Sequence, residues 1–463
     1  MHNRIYQILL LIVFFVSSTV AQQKESPNRI LFKNINVWNG TDDRLVQSDV
    51  LIEDNLIKQV KSNIKAPNGC TVIDGNGGTL MPGLIEGHGH FYMNGSSLPD
   101  IENNLSYDEI AVRGAARAKS ALMSGFTTWR DAGGMGAGLK KTIDAGIVEG
   151  PRIYPSGAFI GPTGSHADFR NFTTPNETVY GANSSGGRNG MTFTADGIAM
   201  IKTGARQNFM QGATQIKIMS SGGVASSFDP WQLDAYSPEE IRTAVEVADA
   251  YGSYVMSHAY SKKSMMRCLE NGVMTLEHGF MFDADIAKLM KEKGAYITTN
   301  MTAFSPYLFE IEAISSNPAS ARKAATAQKA FVDFVKNVNE LQPDFGFNCD
   351  CVGDVPTCEK QSDHSIYLSG KLLGNLFTLK SLTSVNGKIV KLSGETLDPY
   401  FQGKLGVIEE GAYADLLIVD GNPLKDLSLI GANEKWFDAA PRKEIKPMKL
   451  IMKDGVIYKN TLD

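Results

Sequence analysis

Residues of types that bind metal ions end several apolar stretches of this sequence. His88 and His90 end the run LMPGLIEGHGH, residues 80–90. Side chains at alternate positions of a strand share a face, so these two imidazoles are expected to point the same way. Similar positions recur downstream: Lys217 in QIKIMSSGG, His258 in YVMSHAY, His278 in TLEHG and Asp350 in FGFNCD. Imidazole and carboxylate groups together are typical ligands of zinc and related divalent ions.

Each of these residues also has an ordinary structural interpretation. A single histidine at a strand end is more often a hydrogen-bonded loop residue than a ligand, and Lys217, between two isoleucines, could extend to the surface. The chain has seven histidines, however, and four of them fall at these ends. A cation inside an apolar strand is also costly unless it is neutralised or paired. The set as a whole is better explained as a metal site.

The central part of the chain alternates between apolar strands and helical segments, which is typical of parallel βα units. Eight strands are predicted: LMPGLIEGHGH, GFTTWRDAG, RIYPSGAFI, QIKIMSSGG, YVMSHAY, TLEHG, YITTN and FGFNCD. Predicted helices include Asp108–Met123, Pro238–Tyr251 and Ala284–Lys293. Eight units predict an α/β fold of the closed (β/α)8, or TIM barrel, type. An open doubly wound sheet is less favoured because no glycine-rich phosphate loop follows the first strand.

Both ends of the chain have a different pattern, of short strands separated by turn residues. The stretch from Ile30 to Ile73 and the tail containing YADLLIVDGNP and KLIMKDGVIYKN both predict small antiparallel strands. Neither end could close a core alone, so we expect one discontinuous β-sandwich. The predicted divisions are a linker at 22–29, sandwich at 30–79 and 401–463, and barrel at 80–400.

The composition restricts partners and location. The net charge is −5 and the chain has no basic blocks, so nucleic acid and anionic membranes are not expected partners. A small-molecule substrate is expected instead. Arg4, the apolar run Ile8 to Val16 and the small residues ending at Ala21 predict a signal peptide over residues 1–21. The apolar run is too short to cross a bilayer comfortably, so no stable membrane span is expected. An uncleaved anchor is the alternative to export to the periplasm or medium.

The five cysteines are unevenly placed. Cys70 and Cys268 stand alone, whereas Cys349, Cys351 and Cys358 cluster. In an oxidising compartment Cys351 and Cys358 could close a short loop. Metal binding by the cluster is less favoured, because it lacks a paired C-x-x-C motif.

The sequence resembles the amidohydrolase superfamily of metal-dependent hydrolases. The resemblance rests on PGLIEGHGH, KIMSSGGV, SHAY, LEHG, the aspartate of the eighth strand and the tail GVIEEGAYADLLIVDGNPL. Within the superfamily the chain is most similar to the imidazolonepropionase-like and prolidase-like branch. That branch includes enzymes that remove a carboxyl-terminal amino acid from dipeptides or N-acyl amino acids. Homo-oligomers are common in the family, although the sequence itself does not indicate one.

The resemblance implies a site with two divalent metal ions, with zinc favoured by the ligand types. His88, His90 and Asp350 would hold one ion, and His258 and His278 the other. Lys217 would be carboxylated by carbon dioxide and would bridge both. Hydroxide formed between the ions would attack an amide carbonyl, and Asp350 would move the proton to the leaving amine. By the same resemblance, His166 and Tyr260 would contact the substrate.

The sequence departs from the family pattern at three places. Glu86-Gly87 precede the two histidines where aspartate is common, Ser165 and Ala167 replace glycines around His166, and Asn348-Cys349 precede Asp350 where Gly-Thr is usual. Asp354 is an alternative to Asp350, which is favoured because it directly ends the apolar run. Two other functions remain open: a mononuclear deaminase or cyclic-amide hydrolase, and an inactive barrel that only binds a ligand.

Overall fold

The computed structural model describes residues 27–95, 98–134, 136–176, 184–226, 228–331 and 333–462. The predicted signal peptide, residues 1–21, and most of the predicted linker lie outside these ranges. Within them, no helix has both the length and the apolar character that a membrane crossing requires.

The strands of the described residues are numbered in chain order. They are β1 (Arg29–Lys33), β2 (Asn36–Val37), β3 (Val46–Gln47), β4 (Asp49–Glu53), β5 (Leu56–Lys61), β6 (Thr71–Asp74), β7 (Thr79–Pro82), β8 (Leu84–Gly89), β9 (Phe126–Asp131), β10 (Arg152–Tyr154), β11 (Phe159–Gly161), β12 (Thr192–Thr194), β13 (Ile216–Met219), β14 (Val255–Ala259), β15 (Thr275–His278), β16 (Tyr296–Asn300), β17 (Phe345–Asn348), β18 (Leu416–Val419), β19 (Met448–Lys453) and β20 (Val456–Asn460).

Parallel strands form the predicted barrel. β8, β9 and β10 pair in parallel, and so do β11, β13, β14, β15, β16 and β17 in that order. The last strand returns to the first, since the amide of Asp350 donates to the carbonyl of His88 over 3.3 Å. The predicted (β/α)8 fold is therefore confirmed.

Two strand predictions need correction. LMPGLIEGHGH is not one strand, because β7 pairs antiparallel with β18 of the terminal sheet and only β8 enters the barrel. Gly83 marks the division: its amide donates to Asp415, and a Cβ there would lie 2.1 Å from Thr127 Oγ1. RIYPSGAFI is likewise divided, into two segments that share the third position of the barrel. Pro155 follows β10, which pairs with β9, whereas β11 pairs with β13 and with the additional strand β12.

The two ends of the chain combine in two sheets, as expected. One has the order β5-β4-β1-β6, and the other has the order β20-β19-β18-β7-β2-β3. Their shared core includes Phe32, Ile52, Leu416, Ile418 and Leu450. The prediction of antiparallel strands was wrong at two pairs, because β1 pairs with β6 and β2 with β7 in parallel.

The helices follow the predicted alternation. Their bounds are Leu98–Asn103, Tyr107–Met123, Gly138–Asp144, Ser185–Arg188, Ile198–Met210, Pro238–Ala250, Lys262–Glu270, Ala284–Lys293, Glu312–Ser315, Pro318–Ala330, Phe334–Leu341, Val355–Leu373, Asn375–Lys380, Asn386–Val390 and Gly394–Leu397. Shorter 3-10 turns cover Met301–Phe304, Leu308–Glu310, Lys391–Ser393 and Leu427–Ile430, and a π-helical turn covers Ser381–Val385. Ser237 starts its helix with a complete capping box to Glu240, as the Ser-Pro-Glu-Glu signal indicates.

Candidate metal centre

The carboxyl ends of the barrel strands bring the predicted ligands into one cavity. The cavity has a volume of about 690 Å³, and its lining includes His88, His90, Lys217, His258, His278 and Asp350. All five basic side chains are buried, with Lys217 only 1% exposed. Residues that are far apart in the sequence therefore meet as a single cluster at the expected end of the barrel.

Asp350 lies at the centre of the cluster. Its Oδ1 is 3.1 Å from His90 Nε2 and 3.4 Å from His88 Nε2, and its Oδ2 is 3.7 Å from His278 Nδ1. Lys217 Nζ is 3.5 Å from His88 Nε2. His278 and Asp350 both have a left-handed backbone, with φ of 71° and 47°. Such backbone is uncommon for these residue types and concentrates at functional sites, where the surrounding fold must hold it.

Each of the four imidazoles has one ring nitrogen within hydrogen-bonding distance of a protein oxygen outside the cluster. The contacts are His88 Nδ1 to Glu277 Oε2 at 2.6 Å, His90 Nδ1 to the Gly133 carbonyl at 3.1 Å, His258 Nε2 to the Gly222 carbonyl at 3.0 Å and His278 Nδ1 to Asn300 Oδ1 at 3.4 Å. This is how metal-binding histidines are oriented in proteins. Ligand atoms of His88, His278 and Asp350 also lie within 4.8 Å of one another. The residues present therefore fit a divalent metal site.

The charges of the cluster suit the same role. Burial lowers the pKa values of His88 and His258 well below normal and that of His278 to about 4, so these imidazoles are neutral at pH 7. Metal binding requires the neutral form. Burial also lowers the pKa of Lys217 to about 8. Burial alone would raise the pKa of Asp350, but the surrounding histidines hold it below its usual value.

Sequence reasoning did not identify a buried ion pair behind His88. The Glu277 carboxylate accepts from Arg130 Nη2 at 2.9 and 3.0 Å and from Thr298 Oγ1 at 2.5 Å, and both members of the pair are fully buried. Burial alone would raise the pKa of Glu277, yet Arg130 lowers it, so the carboxylate is charged where it meets the imidazole of His88. The one feature of the sequence that could have indicated Glu277 was its position directly before His278.

Glu86 takes the place of the aspartate that the family pattern leads one to expect. Its carboxyl accepts the amide of His88 at 3.0 Å and the amide of Cys349 at 3.1 Å. Burial raises its pKa to about 8. Glu86 therefore ties the strand that carries His88 to the strand that precedes Asp350.

The two predicted substrate contacts both line the cavity. The ring of His166 stacks on that of His258, with centroids 4.2 Å apart and planes 22° apart. Tyr260 lies 4.5 Å from His258 and 5.3 Å from His278, measured between ring centroids. Asp354, the alternative to Asp350, instead caps the helix Val355–Leu373 by accepting the amide of Thr357 at 3.0 Å.

The segment after Asp350 is closed by a disulfide. Cys351 and Cys358 are bonded, which is the pairing that the sequence allowed. Cys349 is a free, buried thiol. Val352, Gly353 and Asp354, which lie within the closed loop, line the cavity. The bond thus restrains one side of the cavity wall next to Asp350.

The remaining walls of the cavity are largely apolar. Phe280 and Phe331 stack with ring centroids 4.3 Å apart, and Tyr260 meets Phe280 edge to face at 5.2 Å. Val224 and Ile314 complete this side. A few polar groups in an apolar cleft are typical of small-molecule sites.

Comparison with known proteins agrees with this geometry. A model of the family described as the amidohydrolase family matches residues 79–457. The ochratoxinase of Aspergillus niger is 35% identical over 232 residues, which are 48% of this chain and 47% of that protein. This chain thus matches about half the length of that curated relative.

Two solved structures match over a greater length. A prolidase complexed with N-methylphosphonate-L-proline is 32% identical, with a TM-score of 0.81 over 94% of this chain and 100% of the other. A Xaa-Pro dipeptidase with methionine in its active site is 26% identical, with a TM-score of 0.77 over 94% and 100%. The prediction of a prolidase-like branch is confirmed.

Proposed function

This chain belongs to the amidohydrolase family, and on that premise we propose that it is an exported hydrolase with two metal ions that cleaves the amide C–N bond of a dipeptide or N-acyl amino acid. The observation that carries the proposal is the convergence of four histidines, Lys217 and Asp350, with each imidazole anchored through one nitrogen. Members of the family generally use divalent metals, and the residues fit them.

We assign the ligands as the sequence predicted them. His88, His90 and Asp350 would hold one ion, His258 and His278 the other, and carboxylated Lys217 would bridge them. The position of Lys217 among these groups supports this assignment, and its lowered pKa increases the share of neutral amine that can react with carbon dioxide. When bound, zinc ions would supply a Lewis acid that lowers the pKa of water and polarises the amide carbonyl.

The protein's own groups would move the proton and orient the substrate. Asp350 would accept the proton of the attacking water and deliver it to the leaving amine, since its carboxylate is charged and borders the cavity. His166 and Tyr260 would hydrogen-bond the amide carbonyl or the substrate carboxylate. The apolar wall around Phe280 would strengthen these polar contacts.

The relatives and the cavity wall together favour a substrate class. Prolidase, Xaa-Pro dipeptidase and ochratoxinase are the names of the similar proteins reported above. The wall formed by Phe280, Phe331, Val224 and Ile314 suits an apolar side chain or acyl group on the substrate. We therefore propose dipeptides and N-acyl amino acids with an apolar residue beside the amide bond.

A substrate panel and a metal count test the proposal together. Purified protein, loaded with zinc and bicarbonate, is assayed against dipeptides and N-acyl amino acids, and its metal content is measured by mass spectrometry. We expect turnover of apolar members and two metal ions per chain. One ion per chain would instead favour a deaminase, and bound metal without turnover of any panel member would contradict amide hydrolysis.

Export is a separate part of the proposal. The signal sequence predicted over residues 1–21 and the Cys351–Cys358 disulfide support it, because disulfides persist mainly in oxidising compartments. Amino-terminal sequencing should show that the mature protein begins at the residue after Ala21. An intact Met1 on the mature protein would contradict export by cleavage.

A further inference from the structure

One long segment forms much of the apolar wall of the cavity. Residues 301–331, the cap, follow β16 and contain two 3-10 turns, a short helix and the helix Pro318–Ala330. Segments that follow the strands of such a barrel shape its active site. The apolar side chains by which the cap lines the cavity are buried and include Ala303, Leu308, Ile314, Ala324, Ala327 and Phe331.

The cap is fixed to the segment that follows β13. The ammonium of Lys323 donates to three carbonyl oxygens of that segment, those of Gly223, Ser226 and Asp229. An ammonium has three N–H donors, so none is left for a substrate. Trp231 Nε1 also donates to Thr326 Oγ1 at 3.1 Å. The apolar surface is therefore held in place before a substrate binds, which lowers the entropic cost of binding.

The cap presents no positive charge to the cavity. The described lining includes none of its three basic residues, Arg322, Lys323 and Lys329. The charged groups of the cap that do line the cavity are the exposed carboxylates of Glu310 and Glu312. The guanidinium of Arg113 lines the cavity too, but it belongs to a helix that follows β8. An anionic group of a substrate is therefore disfavoured at the cap.

This distribution of charge orients the proposed substrates. A dipeptide or an N-acyl amino acid carries its carboxylate on the nitrogen side of the amide bond that is cleaved. The two ends of the substrate extend in different directions from the amide carbon at the metal cluster. Since the carboxylate is disfavoured at the cap, the cap receives the other end, which is the acyl group on the carbonyl side of the bond.

Small side chains leave room in the cap for a large acyl group. Ala324 and Ala327 are three positions apart, so they lie on the same face of their helix. Both line the cavity, and each is 1% exposed. Their methyl groups occupy little of a cavity of about 690 Å³, a volume that suits drug-sized ligands. The stacked rings of Phe280 and Phe331 provide further apolar surface beside them.

We propose that the cap is the acyl subsite for the amide hydrolysis proposed above, on which this inference rests, and that it selects bulky apolar acyl groups. Ala324 and Ala327 determine how large the group can be. Each methylene that the acyl chain buries against the cap should raise kcat/KM by up to about fourfold, until the space is filled. Long or aromatic acyl groups are therefore preferred to acetyl.

The experiment measures kcat/KM over two series of N-acyl amino acids. In the first, the acyl group lengthens from acetyl to octanoyl on L-proline. In the second, acetyl is kept and the amino acid changes from alanine to phenylalanine. We expect kcat/KM of the wild type to rise along the first series.

Two variants of the cap test which residues set this preference. A327L should lower the octanoyl-to-acetyl ratio of kcat/KM by at least about tenfold, because the leucine occupies the space of the acyl chain. A324L, about one turn earlier, should lower the same ratio. A general loss of activity or of folded protein would leave the ratio unchanged. A325L is the matched control, because Ala325 is exposed on the same helix, and it should keep the ratio of the wild type.

Calorimetric binding of the same compounds to the metal-free proteins is the second readout, because the cap contains none of the predicted metal ligands. The octanoyl compound should lose affinity relative to the acetyl compound in A327L but not in A325L.

The outcomes that contradict the inference differ from those that contradict the proposed function. An active wild type whose kcat/KM does not rise with acyl length overturns this inference alone, and so do A327L and A324L variants that both keep the ratio of the wild type. An effect of A327L on the second series instead of the first would show the opposite orientation and overturn it too. A wild type that hydrolyses no member of either series or of the earlier panel overturns the proposed function, and this inference with it.

Discussion

Two buried cations of this barrel, Arg152 and Lys217, have opposite surroundings. Arg152 is 3% exposed, and its guanidinium meets Asp415 at 3.0 Å and Asp454 at 2.5 Å. The rings of Tyr400 and Tyr413 cover it at 4.9 and 3.9 Å. Burial alone would lower its pKa, but these carboxylates raise it. The protein itself thus satisfies Arg152, which joins β10 of the barrel to the terminal sheet.

Lys217 is buried equally well but lacks such partners. Among the described residues its Nζ forms no ion pair with a carboxylate, and its hydrogen-bonding neighbour is His88 Nε2 at 3.5 Å. Burial is the main cause of its lowered pKa. A buried cation that is paired with carboxylates of the protein has a structural role. A buried cation that lacks such a partner and lies beside a cavity indicates a functional site.

The largest effect should come from replacing Lys217. We expect K217M to lower kcat by at least about 10³-fold, the scale seen when one member of a catalytic unit is lost. The folded protein should be as stable as the wild type or more so, because the change removes an unpaired buried amine and keeps its volume. Steady-state kinetics and urea unfolding of the zinc-free proteins measure the two effects.

If Lys217 served only packing, the outcome would be reversed. K217M would then retain its kcat, or would lose activity only in proportion to lost stability. Metal content separates the cases further, because a bridging ligand should be needed for the second ion. A K217M variant that still binds two ions per chain would contradict the bridging role.

Replacing Arg152 should give the opposite pattern. R152M leaves the carboxylates of Asp415 and Asp454 without their partner, which should cost about 3–5 kcal/mol in the free energy of unfolding. The folded fraction should keep its kcat and its metal content, because the four residues that contact its guanidinium do not line the cavity. Urea unfolding and active-site titration check this, and a loss of kcat without a loss of stability would contradict the contrast.

The predicted metal ligands could be identified from the sequence more readily than the contacts that hold them in place. His258 and His278 could be predicted because a strand end in a barrel faces the cavity whatever the rest of the fold does. The capping box at Ser237 is equally local. Arg130 and Glu277, by contrast, lie on β9 and β15 and meet only across the closed barrel, so no spacing in the sequence relates them.

The wrong strand boundaries have the same origin. LMPGLIEGHGH is apolar throughout, and nothing local shows that β7 pairs with β18, which is more than 300 residues away in the chain. The proline and glycine at 82 and 83 mark the division, but they could also lie inside a bulge. The partner of a strand, and so the sheet that it joins, is set by contacts that are distant in the sequence.

A smaller effect should follow from changing the buried ion pair of Arg130 and Glu277, which contacts the predicted metal ligand His88. E277Q keeps the shape of Glu277 but removes the charge that faces His88 Nδ1 at 2.6 Å and pairs with Arg130. We expect metal affinity to fall by about 10- to 100-fold. Competition with a chelator of known affinity measures this. E240Q is the control, because Glu240 is a partly exposed residue of the helix Pro238–Ala250 and does not line the cavity. Equal losses in both variants would contradict the assignment.

The smallest effect should come from removing a hydroxyl from one of the tyrosines that cover Arg152, which leaves its ion pairs intact. Tyr400 donates to Asp144 at 2.9 Å and accepts the Ile153 amide at 3.2 Å. Y400F keeps the ring over Arg152 but leaves that buried amide unpaired, so it should cost about 1–3 kcal/mol with kcat unchanged. Y413F, whose hydroxyl accepts only the partly buried Gln402 amide, should cost less. Both rings remain over the guanidinium in these variants. A larger loss of unfolding free energy in Y413F than in Y400F would therefore contradict the contribution that we assign to the hydrogen bonds of Tyr400.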